Sequence, residues 1–437
     1  MDLLKDDVKT LYNKYLVPSL VAAAVHSIYC FADVIAIGRG IGPEGAAAVS
    51  LTAPIFNTLS FIGTVFGIGG AVHFARARGE GQMKKADSYF GGSLFIICAI
   101  TIILWALVLI FSEPFYRFLG TTPSLMECVS EYTDCILWAV PMFIMVAYLS
   151  SFIRSDGAPG LVMKSMFIGG GFNVFADWLF VFPLDGGMFG AAMATVMGIS
   201  IQCIILLTYF FTKQCKLRVA KPFNLFKTSF RVVSAGFSAG IISVAMAILT
   251  IILNKQILHY GNETGLAVFS VVLMCSTMFQ YLFTGVGQAI QPIISTNYGA
   301  KLMDRISLTN RISYKTTIFM GILFTAIGML FPVQITCLIV DATPEMIEMA
   351  PSIFYVYFLA FIPIGLNIHG TYYLQSVMKT KESLFVSLLR GFILSSVLVF
   401  VLPVFLELSG VWWAIVTTEI ITAIVAFAII KSTKQKN

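Results

Sequence analysis

The sequence predicts an all-α membrane protein with twelve transmembrane helices, and its composition, apolar runs and charge distribution support this fold class. Hydrophobic residues make up 58% of the 437 residues and charged residues only 11%, whereas soluble domains are about 25% charged. A chain with so little polar surface would expose large apolar patches in water. The composition therefore indicates that a lipid bilayer surrounds the folded chain.

Twelve apolar runs are each long enough to cross a bilayer as a helix, which takes about 20 residues. The runs are continuous and do not alternate with a period of two, so they favour helices over the strands of a β-barrel. The predicted spans are residues 15–38, 45–74, 89–112, 130–152, 161–182, 187–212, 230–254, 264–296, 312–332, 349–375, 384–405 and 410–430.

Basic residues indicate the orientation of these spans. Counting the 28 Lys and Arg residues loop by loop places 25 on one side of the membrane and only Arg39, Arg117 and Lys255 on the other. Because cytoplasmic loops carry the excess of basic residues, this count predicts that both termini are cytoplasmic. An odd number of spans would destroy the segregation, so the count also supports twelve. We expect the chain to lie in the cytoplasmic (inner) membrane.

The longest basic loop lies at the midpoint of the chain and divides it into two halves of six spans. We expect an N-lobe at 1–212, a cytoplasmic linker at 213–229 and a C-lobe at 230–437. Because six is even, both halves enter the membrane in the same orientation, as in parallel repeats. Short segments recur between the halves, for example Gly-Ile-Gly at 67–69 and Gly-Val-Gly at 285–287.

Acidic residues inside the spans are the first candidates for function, since a charge at the bilayer centre costs roughly 3 kcal/mol or more. Asp33 in span one and Asp177 in span five both follow about 15 to 17 residues of helix that begins on the cytoplasmic side, so they reach a similar depth. Asn173 is four residues before Asp177 and shares its helix face. Two carboxylates and an amide at one depth could bind a proton or Na⁺. The alternative is that each acid only forms a hydrogen bond with a neighbouring helix.

Other polar and aromatic residues are candidates for a substrate cavity. His26 and Tyr29 lie seven and four residues before Asp33, where they could meet substrate or simply pack between helices. Glu419 lies inside span twelve without a partner suggested by spacing, so a functional and a structural role stay equally open. The many aromatic and Met residues suit a cavity for flat cations, and Met278 in span eight is one candidate.

The sequence lacks the usual signatures of an enzyme. The Gly-Ile-Gly at 67–69 lies within a span rather than between a strand and a helix, and there is no GxxxxGK[ST], HExxH or GxSxG motif. The 8 cysteines are scattered and suggest neither disulfides nor a metal centre. We therefore expect no catalysis, no cofactor beyond a coupling ion, no metal except Na⁺, and no nucleic-acid partner.

Several ordered motifs resemble the MATE (multidrug and toxic compound extrusion) family, and in particular its MepA-type bacterial branch. They are Asp-Val-Ile-Ala-Ile-Gly at 33–38, Ile-Arg-Ser-Asp-Gly-Ala-Pro at 153–159, Gly-Val-Gly-Gln-Ala-Ile-Gln-Pro at 285–292, Asn-Tyr-Gly-Ala-Lys at 297–301 and Gly-Val-Trp at 410–412. The resemblance extends over nearly the whole chain.

This resemblance implies a V-shaped pair of six-helix lobes that exports small, mostly cationic or aromatic compounds in exchange for H⁺ or Na⁺ by alternating access. It implies a cation site at Asp33, Asn173 and Asp177, small-molecule substrates, a monomer and no ATPase subunit. Some members carry a Glu in span seven for a second sodium site, but residues 236–253 contain no acid, which favours coupling through the N-lobe. The alternatives are an exporter dedicated to one endogenous metabolite and a flippase for a lipid-linked precursor.

Overall fold

The computed structural model describes residues 2–118, 121, 123, 125–222 and 224–435, and within these residues it contains helices and no β-strand. Contacts divide the chain into two compact units. The first unit runs to Gly240 and includes Ser295–Leu302, and the second comprises Ile241–Ile294 and the chain from Met303 onward. The predicted lobe boundaries at 212 and 230 stay a prediction.

The helices before the midpoint all belong to the first unit. They are α1 Val8–Gly40, α2 Pro43–Gly79, α3 Met83–Ile110, α4 Ser112–Phe118, α5 Met126–Leu137, α6 Val140–Ser155, α7 Pro159–Val181 and α8 Gly187–Leu207, followed by a 3₁₀ turn at Thr208–Phe211. Local chemistry sets several of their ends: the Asp7 carboxylate caps α1 by accepting a hydrogen bond from the Thr10 amide at 2.9 Å. Pro159 starts α7, where a proline costs no hydrogen bond.

Two long helices, α9 Leu225–Tyr260 and α10 Glu263–Gly299, follow the midpoint. The remaining helices belong to the second unit. They are α11 Met303–Leu330, α12 Pro332–Ile339, α13 Pro344–Tyr357, α14 Phe361–Ser376, α15 Thr380–Leu388 and α16 Leu394–Gln435, with a 3₁₀ turn at Phe358–Ala360 and a π-helical turn at Leu389–Ile393. In this unit α14 packs along α11 and α16.

Each predicted span falls on helix in the described part of the chain. Nine helical segments there are long and apolar enough to cross a membrane, and the pair α5 and α6, bent by 53°, makes a tenth. The helix α7 has 23 residues but does not pass that test, because it carries polar residues. The long segment Thr380–Ser432 contains two predicted spans, which are separated by non-helical backbone at Glu407. The helical fold class that the sequence predicts is therefore confirmed in the described part of the chain.

A buried carboxylate holds the segment that follows α8 against the helices of the first unit. Asp156, just after α6, pairs with Arg78 and accepts hydrogen bonds from the Tyr209 hydroxyl at 2.7 Å and from the backbone amide of Lys216 at 2.8 Å. The Asp156 side chain is fully buried. Residues 213–222, the first part of the predicted linker, are therefore held by a charged acceptor.

We expect Asp156→Asn to release this segment. The loss of charge-assisted hydrogen bonds, worth about 1.5–3 kcal/mol each, should raise the open population and hence the rate of tryptic cleavage about tenfold or more. Limited proteolysis followed by mass spectrometry reads the cleavage after three basic residues of the segment, which are Lys213, Lys216 and Arg218.

The matched control is Glu113→Gln. Glu113 forms an ion pair with Arg117 at 2.7 Å, but both side chains are well exposed, and such pairs stabilise little. Cleavage of the segment at the parental rate in Asp156→Asn would show that Asp156 does not hold it.

Candidate functional site

The packing of α7 against α1 and α8 positions the predicted cation site within the first unit. Small residues allow these helices to approach closely, as is common between membrane helices. A methyl group on Gly198 of α8 would lie 2.8 Å from the Asn173 Cβ and 3.0 Å from the Gly169 carbonyl oxygen. Because Gly198 has no side chain, Asn173 has room to lie against α8.

We expect Gly198→Ala to displace Asn173 and to destabilise the first unit by about 1–3 kcal/mol, the usual cost of overpacking. The thermal melting temperature of the purified protein in detergent measures this effect. The control is Gly171→Ala on α7, because a methyl group at Gly171 meets nothing within 4 Å. Equal melting temperatures for the two variants would contradict the predicted role of Gly198.

The side chains of Asn173 and Asp177 are buried and find no hydrogen-bond partner among the described residues. They are 2% and 1% exposed, one helical turn apart on α7. Within the described part of the chain, neither amide atom of Asn173 and neither carboxylate oxygen of Asp177 has a hydrogen-bond partner. A buried polar group without a partner costs free energy, so this part of the fold is incomplete without a proton, an ion or water.

Asp33 of α1 lies beside this pair. Its Oδ1 accepts a hydrogen bond from the Thr195 hydroxyl of α8 at 3.4 Å, and its carboxylate is near enough to that of Asp177 for electrostatic repulsion. The Tyr132 hydroxyl of α5 interacts electrostatically with both carboxylates and lies within hydrogen-bonding reach of Thr195. The structure therefore brings the three predicted residues together and adds two hydroxyl groups.

Among the residues that the structure describes, no basic side chain neutralises these acids. Among the described residues, neither Asp33 nor Asp177 forms an ion pair with Lys, Arg or His. Two neighbouring carboxylates, one buried and one partly buried, that have no counter-charge favour uptake of a proton or a metal cation. The available ligands are all carboxylate, amide or hydroxyl oxygens, which are the donors that hard cations take.

Sequence reasoning missed Thr195 and Tyr132. Thr195 is one of several small polar residues in span six, and Tyr132 stands at the start of span four among other polar residues. Nothing in their local pattern distinguishes them, because their proximity to Asp33 arises from the packing of α5 and α8.

The predicted cavity residues His26 and Tyr29 lie partly buried on α1. Their rings meet edge to face with centroids 5.0 Å apart. Tyr29 packs on α7, since a methyl group on Gly170 would lie 3.2 Å from the Tyr29 Cδ1. Met278 lies partly buried on α10 in the second unit. A cavity role for these three residues stays a prediction.

Glu419 has a partner that the sequence did not suggest. Its Oε1 accepts a hydrogen bond from Arg390 Nε at 2.6 Å, its Oε2 accepts one from Asn367 Nδ2 at 2.7 Å, and Arg390 also donates to the Gln280 side chain at 2.8 Å. Arg390 and Glu419 are 5% and 6% exposed. The two charges form a buried ion pair in the second unit.

The position of Arg390 corrects the loop count. Arg390 is one of the 25 basic residues that the count assigns to the cytoplasmic side, but it lies buried within the π-helical turn at Leu389–Ile393. Spacing could not reveal its pairing, because Arg390 and Glu419 are 29 residues apart and meet only through the packing of separate helices. The excess of Lys and Arg on the predicted cytoplasmic side remains large when Arg390 is left out of the count, so the predicted orientation does not change.

Comparisons with known proteins agree with this architecture. Multidrug export protein MepA of Staphylococcus aureus (strain MSSA476) is 24% identical over 433 residues, which are 95% of this chain and 92% of that protein. Multidrug export protein MepA of Staphylococcus haemolyticus (strain JCSC1435) is 23% identical over 436 residues, 97% of this chain and 93% of that protein.

The solved structures show the fold. An outward-facing conformation of a multidrug resistance MATE family transporter of the MOP superfamily superposes with a TM-score of 0.92 at 21% identity, covering 100% of this chain and 98% of that one. The MatE family model matches residues 18–179 and 238–401. Because these ranges make up well over half of the chain, the resemblance found in the sequence is confirmed, and the chain belongs to the MatE family of multidrug and toxic compound extrusion transporters.

Proposed function

We propose that this protein is a secondary antiporter of the cytoplasmic membrane that exports small, mostly cationic or aromatic organic compounds in exchange for H⁺ or Na⁺. Similarity to multidrug export proteins supports the substrate class. The observation that carries the proposal is the uncompensated pair of carboxylates, Asp33 and Asp177, beside the unsatisfied amide of Asn173. Both termini are cytoplasmic and the transporter acts as a monomer without an ATPase subunit.

In the proposed cycle the coupling cation neutralises the repulsion between Asp33 and Asp177. The hydroxyl groups of Thr195 and Tyr132 contribute oxygen ligands or accept and donate hydrogen bonds around it. Because these residues lie on four helices, binding the cation favours one arrangement of α1, α5, α7 and α8 over another. A ligand shifts such an equilibrium only by its difference in affinity for the two states, and here that difference arises from the distance between the carboxylates.

Efflux of a cationic dye from proteoliposomes tests the proposal. The purified protein is reconstituted with ethidium, and a pH gradient and a Na⁺ gradient are imposed separately. We expect at least one gradient to drive dye movement, and the gradient that succeeds identifies the coupling ion. The control is Asp185→Asn, which removes an exposed carboxylate beyond the end of α7 and should transport like the parent.

Dye movement that neither gradient affects would refute ion-coupled antiport. A different result, in which the ion binds but no dye moves, would favour an exporter dedicated to one metabolite or a flippase. Binding of the ion is followed through the melting temperature, because a ligand that binds only the folded state stabilises it as its concentration rises.

A further inference from the structure

A cavity of about 660 Å³ lies in the first unit, where the turn between α2 and α3 meets the start of α9. Four cationic side chains line it, Lys84, Lys85, Lys227 and Arg231. Among the described residues, its lining includes no acidic residue, and Glu80 beside it pairs with Arg76 at 2.7 Å and with Lys85 at 3.4 Å. The cavity therefore keeps an excess of positive charge.

Two of the four cations have no acidic partner. Within the described residues Lys84 and Lys227 take part in no ion pair, and both are exposed. Arg231 is held in place, because its Nη1 donates to the Tyr89 hydroxyl at 3.2 Å and the Tyr89 ring stacks on His73 with centroids 4.9 Å apart. Exposed lysines and a positioned guanidinium together suit an anion with several oxygen atoms.

Exposed aromatic side chains adjoin this cavity. Phe226 and Phe230 are 82% and 70% exposed, and they stand one turn apart on α9, directly beside Lys227 and Arg231 in the sequence. The start of α9 thus carries an apolar stripe next to a basic stripe. An anion that is bound here would have a long apolar surface within reach, which a soluble phosphate could not use.

We propose that this cavity binds the phosphate headgroup of an anionic phospholipid, whose acyl chains lie along Phe226 and Phe230. The basic loops assign this end of α2 and α3 to the cytoplasmic side, where anionic lipids attract basic groups at the membrane surface. The Lys side chains extend their apolar stems along the protein and place their ammonium groups at headgroup level. The site is separate from the carboxylates of the antiport proposal.

Lipid binding to the purified full-length protein in detergent tests the site. Phosphatidylglycerol is titrated, and bound lipid and melting temperature are followed by native mass spectrometry and thermal unfolding. We expect phosphatidylglycerol to bind and stabilise the parent, and phosphatidylcholine to do neither. The double variant Lys84→Gln/Lys227→Gln should weaken the apparent affinity about tenfold or more at low ionic strength.

The matched control is Lys9→Gln/Lys14→Gln, which removes the same charge from two exposed positions of α1 and should bind like the parent. Equal binding by the two double variants would overturn the proposal, and so would equal binding of phosphatidylcholine. Displacement of phosphatidylglycerol by inorganic phosphate or glycerol 3-phosphate at similar concentrations would assign the site to a soluble anion instead. No gradient is applied, so the result does not depend on antiport.

Discussion

Asp177→Asn is expected to abolish gradient-driven efflux while leaving the protein folded and at least as stable as the parent. The substitution keeps the volume and the polar character of the side chain but removes the buried one of two neighbouring negative charges. Without that charge the site loses the repulsion that a coupling cation relieves, so binding no longer favours one state over another. Efflux should fall by at least an order of magnitude, since coupling factors in proteins commonly correspond to about 1–3 kcal/mol.

Two measurements separate this effect from misfolding. Thermal unfolding should show that Asp177→Asn melts no lower than the parent, because an uncompensated buried charge has been removed. The same experiment should show that stabilisation by Na⁺, or by lower pH if the proton is the coupling ion, is reduced or lost. Asp185→Asn again serves as the control. Normal ion-driven efflux by Asp177→Asn would eliminate the proposed coupling site.

Breaking the buried pair in the second unit should have the largest effect on stability. Glu419→Ala leaves Arg390 charged, buried and without its acidic partner, which we expect to lower the free energy of unfolding by about 3–5 kcal/mol. Replacing both charges, as in Arg390→Met/Glu419→Leu, should restore most of that loss, because a buried ion pair is itself often no more stable than a well-packed apolar pair. Unfolding in mixed detergent micelles measures both variants.

A comparison within the same unit completes this experiment. Glu382 pairs with Lys379 at 3.7 Å, and both side chains are more than one-third exposed, so Glu382→Ala should cost about 0–1 kcal/mol. If Glu419→Ala proved no more harmful than Glu382→Ala, the buried pair would not be a structural element. The dye efflux activity of Arg390→Met/Glu419→Leu shows separately whether Glu419 also acts in transport.

The sequence predicted the spans well because each is a long apolar run with its own signal. Pro141, in the first turn of α6, marks the break in span four, because proline cannot donate the backbone hydrogen bond that would continue α5. The sequence did not predict the 53° angle at which α5 and α6 meet. The non-helical backbone at Glu407, which has a φ of 50°, lies in the interval that separates the predicted spans 384–405 and 410–430. The angle between two helices depends on the packing around them and has no signal in the sequence.

The candidate site was only partly predictable. Asp33, Asn173 and Asp177 could be grouped because their depth in the membrane and their spacing follow from helix geometry. Thr195, Tyr132 and the pairing of Glu419 could not, because they depend on which faces of separate helices meet. Charged residues inside the spans thus indicate that a site exists, but its complete set of ligands can be identified only from the tertiary structure.

The π-helical turn at Leu389–Ile393 has a practical consequence for comparing relatives of this protein. A π turn accommodates one residue more than a regular α-helical turn, so a homologue with one residue fewer at this point would keep a continuous helix. Because the π turn absorbs the extra residue, the side chains that follow it would keep the same faces in both proteins. An alignment that places the gap elsewhere would pair residues one position out of step between the two gap positions, which is an error of about 100° around the helix.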